Sequence, residues 1–147
     1  MKSKLFIAIF LLVAFICIPI ITRDTDKVSH IATGAESAKF MSYNAAINSS
    51  KPTVILFYAN WCSYCRKFMP KFNAVAKDYG DKYDFVKINI EASNSNKSLS
   101  EQYNIRSLPT VYIVEPRYKV KKEISPYSYD SVESMRSELK RYLQKRR

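Results

Sequence analysis

Cys62 and Cys65 stand two residues apart in the stretch "YANWCSYCRKFMP". An uncharged apolar run, Val54 to Tyr58, comes just before them, and Phe68, Met69, Phe72, Val75 and Ala76 recur at helical spacing just after. Two thiols so placed can serve as a redox pair, as half of a metal site or as a structural disulfide. Zinc wants four ligands; the third cysteine, Cys17, lies in an N-terminal apolar run, and the only histidine, His30, lies in a polar stretch that reads as solvated linker. A disulfide across one helical turn closes too short a loop to restrict the unfolded chain much, so it would be a poor staple. A sulfur at the first turn of a helix, by contrast, faces backbone N–H groups and the positive end of the helix dipole, which favour thiolate over thiol. Cys62 has that place and Cys65 lies one turn further in. The residues therefore favour a redox pair, with the outer sulfur attacking and the inner one resolving a mixed disulfide.

Holding such a pair requires a strand before it and a helix after it, and the rest of the pattern supplies a fold of that type. Ala38, Phe40, Met41, Ala45 and Ile47 predict a helix from Ala35 to Asn48 with Thr33 as its cap. "KPTVILFYA" reads as a central strand covered on both faces. The helix from Cys62 to about Tyr79 contains Pro70, which should kink it. "YDFVKINIE" alternates as a second strand, and "NSNKSLSEQYNI" as a loop leading into a short helix that rests on Leu99 and Tyr103. "TVYIV" (110–114) and "YKVKKEI" (118–124) bracket a hairpin-like "EPR". Asp130 and Glu133 resemble a capping box before a closing helix with Val132, Met135, Leu139, Tyr142 and Leu143 on one face. A βαβ unit, a hairpin and a final helix imply an α/β domain with a mixed central sheet and helices on both faces.

The chain has 147 residues, which suits one domain. Its start, "MKSKLFIAIFLLVAFICIPIITRD", carries an uncharged run from Leu5 to Ile21 behind Lys2 and Lys4. That length lies between a signal-peptide core and a short membrane span, and no small-residue cleavage site follows it. The expected division is an anchor or signal at 1–22, a linker at 23–34 and the domain at 35–147. The lysines before the run keep that end cytoplasmic, so the domain is exported, to the periplasmic or extracytoplasmic side of the inner membrane, where disulfides persist. The net charge of +11 comes from scattered Lys and Arg, densest at "LKRYLQKRR". A solvated charged face or contact with lipid headgroups accounts for it better than nucleic acid, for which no motif is present.

"FYANWCSYCRKFMP" resembles the active-site segment of the thioredoxin superfamily, "FVKINIE" the strand that follows it, and "YNIRSLPTVYIV" the loop in which a cis-proline precedes a strand. The resemblance covers about residues 35–147 and implies a thioredoxin fold. It also implies that Cys62 is the nucleophile and Cys65 the resolving thiol. Trp61 would shield the pair and join the docking surface. Pro109 would be the cis-proline, and the Leu108 backbone would pair with an extended substrate. Two departures stand out. Reducing thioredoxins usually hold a buried aspartate where this chain has Leu56, so Cys65 must lose its proton elsewhere; Lys87 and Glu91 are the nearby candidates in sequence. Between the cysteines stand Ser63 and Tyr64, which tune the thiolate without adding a cation; Arg66 is the nearest cationic aid. These features imply a reduction potential between about −270 mV and about −120 mV.

The resulting expectation is an exported thiol-disulfide oxidoreductase, most consistent with a reductase of protein disulfides fed by a membrane electron donor. An oxidase or isomerase on the same scaffold, and a binding or assembly module with incidental cysteines, are the alternatives. No cofactor beyond the Cys62–Cys65 disulfide, and no metal, has a supporting motif.

Overall fold

A computed structural model describes residues 37–146. The N-terminal apolar run, the linker, His30 and Thr33 lie outside the described residues. Four strands, β1 (Thr53–Tyr58), β2 (Asp84–Asn89), β3 (Thr110–Glu115) and β4 (Val120–Glu123), form one sheet in the order β2-β1-β3-β4. β1 and β2 are parallel, while β3 runs antiparallel to both β1 and β4. The helices are α1 (Tyr43–Ile47), α2 (Ser63–Tyr79), α3 (Asn94–Gln102) and α4 (Val132–Lys145).

The apolar run of β1 is continuous because both its faces are covered. Val54 and Leu56 join Phe68, Phe72 and Val75 of α2 and Met135 and Leu139 of α4 on one side. Ile55 and Phe57 meet Ala46 of α1 and Tyr103, which ends α3, on the other. Val54, Ile55, Leu56 and Phe57 are fully buried, and each such side chain contributes roughly 1.5–3 kcal/mol. The mixed sheet with helices on both faces agrees with the expected thioredoxin fold.

Three local expectations are revised. The helix at 35–48 is reduced to the five residues of α1, capped by Ser42, whose Oγ accepts the Ala45 N–H at 3.3 Å. Residues 37–42 are not helical because the Met41 N–H is given to the Phe85 carbonyl (2.9 Å) at the edge of β2. There Phe40 and Met41 pack into opposite hydrophobic clusters, which is a strand's alternation and not a helix's. The second hairpin arm shortens to Val120–Glu123, since Pro116–Tyr118 form a 3₁₀ turn closed by Lys119 at φ 55°. A further 3₁₀ turn, Pro126–Tyr129, precedes α4. The cap of α4 is Ser131, whose Oγ accepts the Ser134 N–H at 3.0 Å, and Glu133 instead pairs with Arg136. α2 continues as helix through Pro70, whose ring lacks the donor that would have reached the Arg66 carbonyl.

Candidate active site

β1 delivers the chain at Tyr58 to a short loop whose end is the first turn of α2. Cys62 is itself the N-cap of α2, with extended backbone angles (φ −72°, ψ 109°). Its Sγ accepts the Cys65 N–H at 3.1 Å. The two sulfurs are joined as a disulfide, with the Cα atoms 5.2 Å apart. Both are enclosed, Cys62 at 5% exposure and Cys65 at 1%. The Cys65 N–H therefore points at the sulfur that sits nearer the surface, and a negative charge there would be stabilised by it and by the helix dipole.

Across from α2, the Leu108–Pro109 bond is cis. The Leu108 carbonyl lies 3.6 Å from Cys62 Sγ, which as a thiol can donate to it. Leu108 also packs with Ala59, Cys62, Cys65 and Ile90. Trp61 is 65% exposed and its indole N–H donates to Glu91 Oε1 at 2.9 Å, which fixes the ring beside the pair. Ser63 and Tyr64 are exposed, Tyr64 at 72%. The structure thus brings Trp61, Cys62, Cys65, Leu108 and Pro109 together from two separate segments.

The sequence candidates for the inner thiol's proton separate. Glu91 is committed to Trp61. Lys87 is the parallel partner of Leu56 in the β1–β2 register. Its Nζ lies 3.7 Å from the centroid of the Phe40 ring and donates to Asn73 Oδ1 at 3.4 Å. Burial pushes this ammonium's pKa below its ordinary value. Asn73 in turn lines an open cleft of about 460 Å³ with Cys65, Asn60, Met69 and Pro70, so solvent has a route to the wall beside the inner sulfur. Arg66 donates to the carbonyls of Asn60 (3.0 Å) and Trp61 (3.2 Å), holding the loop before Cys62. Asn73 and the Trp61–Glu91 bond carry no sequence spacing that would flag them; they follow from how α2 and β2 lie on β1. Among the described residues no group of three or more His, Cys, Asp or Glu could hold a metal ion.

A disulfide that caps a helix beside a cis-proline, at one end of a four-stranded mixed sheet, is an arrangement that can support thiol-disulfide exchange. The comparisons carry this to a family. The thioredoxin family model matches residues 34–138. A thioredoxin of Mycoplasmoides gallisepticum is 39% identical over 84 residues, covering 57% of this chain and 74% of that protein. The thiol:disulfide interchange protein TxlA of Synechococcus elongatus is 33% identical over 100 residues, covering 67% of this chain and 50% of that protein. The fourth thioredoxin domain of ERdj5 superposes with a TM-score of 0.58 at 22% identity, covering 74% of this chain and 97% of that one. The chain belongs to the thioredoxin family. It spans only part of several relatives, 28% of the chloroplastic thioredoxin-like protein HCF164 of Arabidopsis thaliana, to which it is 33% identical over half of its own length.

Proposed function

We propose that the chain is a membrane-tethered, exported reductase of protein disulfides, in which Cys62 attacks and Cys65 resolves. The observation that carries this reading is the Cys62 sulfur at the head of α2, 3.1 Å from the Cys65 amide and 3.6 Å from the Leu108 carbonyl. In the reduced protein the Cys62 thiolate attacks one sulfur of a substrate disulfide. The Cys62–substrate bond forms, the substrate S–S bond breaks, and the leaving sulfur takes up a proton. Cys65 then loses its proton, attacks Cys62 Sγ and expels the second substrate thiolate. Two electrons pass to the substrate and the Cys62–Cys65 disulfide remains, to be reduced again by a dithiol donor at the membrane. Trp61, exposed and held by Glu91, and the Leu108–Pro109 segment form the docking surface. Ser63 and Tyr64 tune the pair. No resident cofactor takes part.

Export rests on the run from Leu5 to Ile21 behind Lys2 and Lys4. Among the described residues no helix is long and apolar enough to cross a membrane, and that run lies outside them. An oxidase or isomerase on the same site is the second reading; it is favoured by Leu56 standing where reducing members of the family carry a buried aspartate.

The test is reduction of insulin by the full chain in detergent with dithiothreitol as donor. Cys62→Ser should abolish turnover, and Cys65→Ser should trap a mixed disulfide that gel electrophoresis resolves. Full activity of Cys62→Ser would overturn the roles. A potential above about −170 mV in glutathione buffers would replace the reductase with an oxidant. A cellular function that survived loss of both thiols would leave a binding module.

A further inference from the structure

Tyr129 lies far from the cysteines in sequence, in the 3₁₀ turn before α4, and its hydroxyl takes the place of a rung in the sheet. Val111 and Ile124 follow the Tyr112–Glu123 pair at the end of the β3–β4 ladder, nearest Pro109. One of their two backbone bonds is made directly, Ile124 N–H to the Val111 carbonyl at 2.8 Å. The other is not. The Val111 N–H donates to Tyr129 Oη (2.8 Å), and Tyr129 Oη donates to the Ile124 carbonyl (3.1 Å). A phenol has one donor and acceptor capacity besides, so it can fill this gap without leaving either backbone group unpaired.

The other end of Tyr129 is tied to the helix that carries Cys65. Its ring lies 4.7 Å from that of Phe68, one turn beyond Cys65 on α2. Lys71, one turn further, donates to the carbonyls of Tyr129 (3.1 Å) and Asp130 (2.6 Å). Tyr129 therefore bridges the two halves of the site, α2 on one side and the start of the cis-proline strand on the other.

We propose that Tyr129 is a positioning residue: it sets the Leu108–Pro109 segment against Cys62, and so governs the docking of extended protein disulfides while leaving the thiol's own reactivity alone. This rests on the reading that substrate pairs with the Leu108 backbone. Without the hydroxyl, the Val111 N–H and the Ile124 carbonyl would have to close on each other directly or take up water. Either change moves the strand that begins one residue after Pro109. The sulfur itself keeps the Cys65 amide, because neither Cys62 nor Cys65 touches Tyr129 through a hydrogen bond among the described contacts.

The test uses the full chain in detergent with Cys65→Ser, so that Cys62 attack is a single event. Two substrates are compared, an extended peptide carrying a mixed disulfide and the small 2-hydroxyethyl disulfide, which has no backbone to pair. Tyr129→Phe keeps the ring on Phe68 and removes the bridge. Its half-saturating peptide concentration should rise roughly three- to tenfold, the weight of one net hydrogen bond, with the limiting rate and the small-disulfide rate unchanged. An unchanged peptide half-saturation overturns the proposal, and so does an equal loss with the small disulfide. If the parent protein shows no saturation with peptide at all, the docking reading fails and takes the proposal with it, an outcome distinct from equal saturation in both proteins. Should Tyr129→Phe not fold, amide exchange in the unsubstituted protein decides: a protected Val111 N–H supports the bridge, and one that exchanges as freely as a solvent-exposed amide overturns it.

Discussion

The Cys62 sulfur has a donor on one side, the Cys65 N–H, and an acceptor on the other, the Leu108 carbonyl. The donor favours the thiolate and the acceptor favours the thiol. Behind the pair, Leu56 is fully buried and its strand partner Lys87 rests over Phe40 with Asn73 as its hydrogen-bond acceptor. The leucine contributes packing where a carboxylate would have contributed a proton acceptor. Leu56→Asp should therefore destabilise the domain by roughly 2–4 kcal/mol in urea unfolding, from lost packing and a desolvated carboxylate. Lys87 is placed to offset part of that cost. Lys87→Met should accordingly be more harmful in the Leu56→Asp background than alone, a coupling that a double-mutant cycle measures; additive effects would show that the ammonium does not reach the new carboxylate.

At the scale of elements, the caps explain where the helices begin. Cys62, Ser42, Ser93 and Ser131 each turn a side-chain atom onto an amide three residues ahead. For α4 the sequence pointed to Asp130, but the structure uses its neighbour Ser131. The choice of Ser131 follows from the 3₁₀ turn Pro126–Tyr129, which uses Asp130 as its own C-cap. Ser131→Ala should cost about 1 kcal/mol of stability, while Asp130→Ala should stay within roughly 0.5 kcal/mol, because Lys71 bonds the Asp130 carbonyl and not its carboxylate. Chemical unfolding of the two variants separates these outcomes. The segment 37–42 shows the same limit of local reasoning. Its apolar residues fit a helical spacing, but a free sheet edge at Phe85 offered its backbone a better partner.

Across the whole molecule, tyrosines hold the layers together through buried hydroxyls. Tyr83 donates to the Leu139 carbonyl at 2.7 Å, tying β2 to α4, and Tyr142 donates to Glu115 at 2.7 Å, tying α4 to β3. Burial raises the pKa of Tyr83, Tyr103, Tyr112, Tyr129 and Tyr142 above the ordinary value of 10.0. The folded protein thus keeps protons that the unfolded chain releases. The stability linked to these groups is intact below pH 10 and is lost as the pH rises above it. Lys87 acts in the opposite sense, since its lowered pKa relieves a penalty as the pH climbs toward 10.5. Five groups against one give a net loss, so the urea midpoint should fall between about pH 9 and about pH 11, with the ionisation of these five tyrosines appearing together with unfolding. Ionisation of these five before unfolding, read by NMR of their rings, would show the hydroxyls to be accessible.

A second cleft, of about 1010 Å³, lies at the opposite end of β3 from Pro109, and its lining includes Lys82, Lys122, Lys145, Arg146, Tyr118 and Tyr142. Its lining also includes Glu115, which pairs with Arg146, and it shares no side chain with the cysteines. Volume alone would have pointed to the wrong end of the sheet.

By itself the sequence determined what depends on neighbours along the chain. The unbroken apolar run of β1, the two-residue gap between Cys62 and Cys65, the helical spacing behind them and the proline in "SLPT" each follow from local periodicity and residue type, and together they made the fold and the redox pair legible. Only the tertiary structure decided which distant groups meet. Glu91 holds Trp61, Lys87 turns to Asn73, Met41 bonds the edge of β2, and Tyr129 enters the ladder at Val111, all through contacts between segments far apart in the chain. Such contacts are set by how layers stack around a shared core, and no spacing within one segment encodes them.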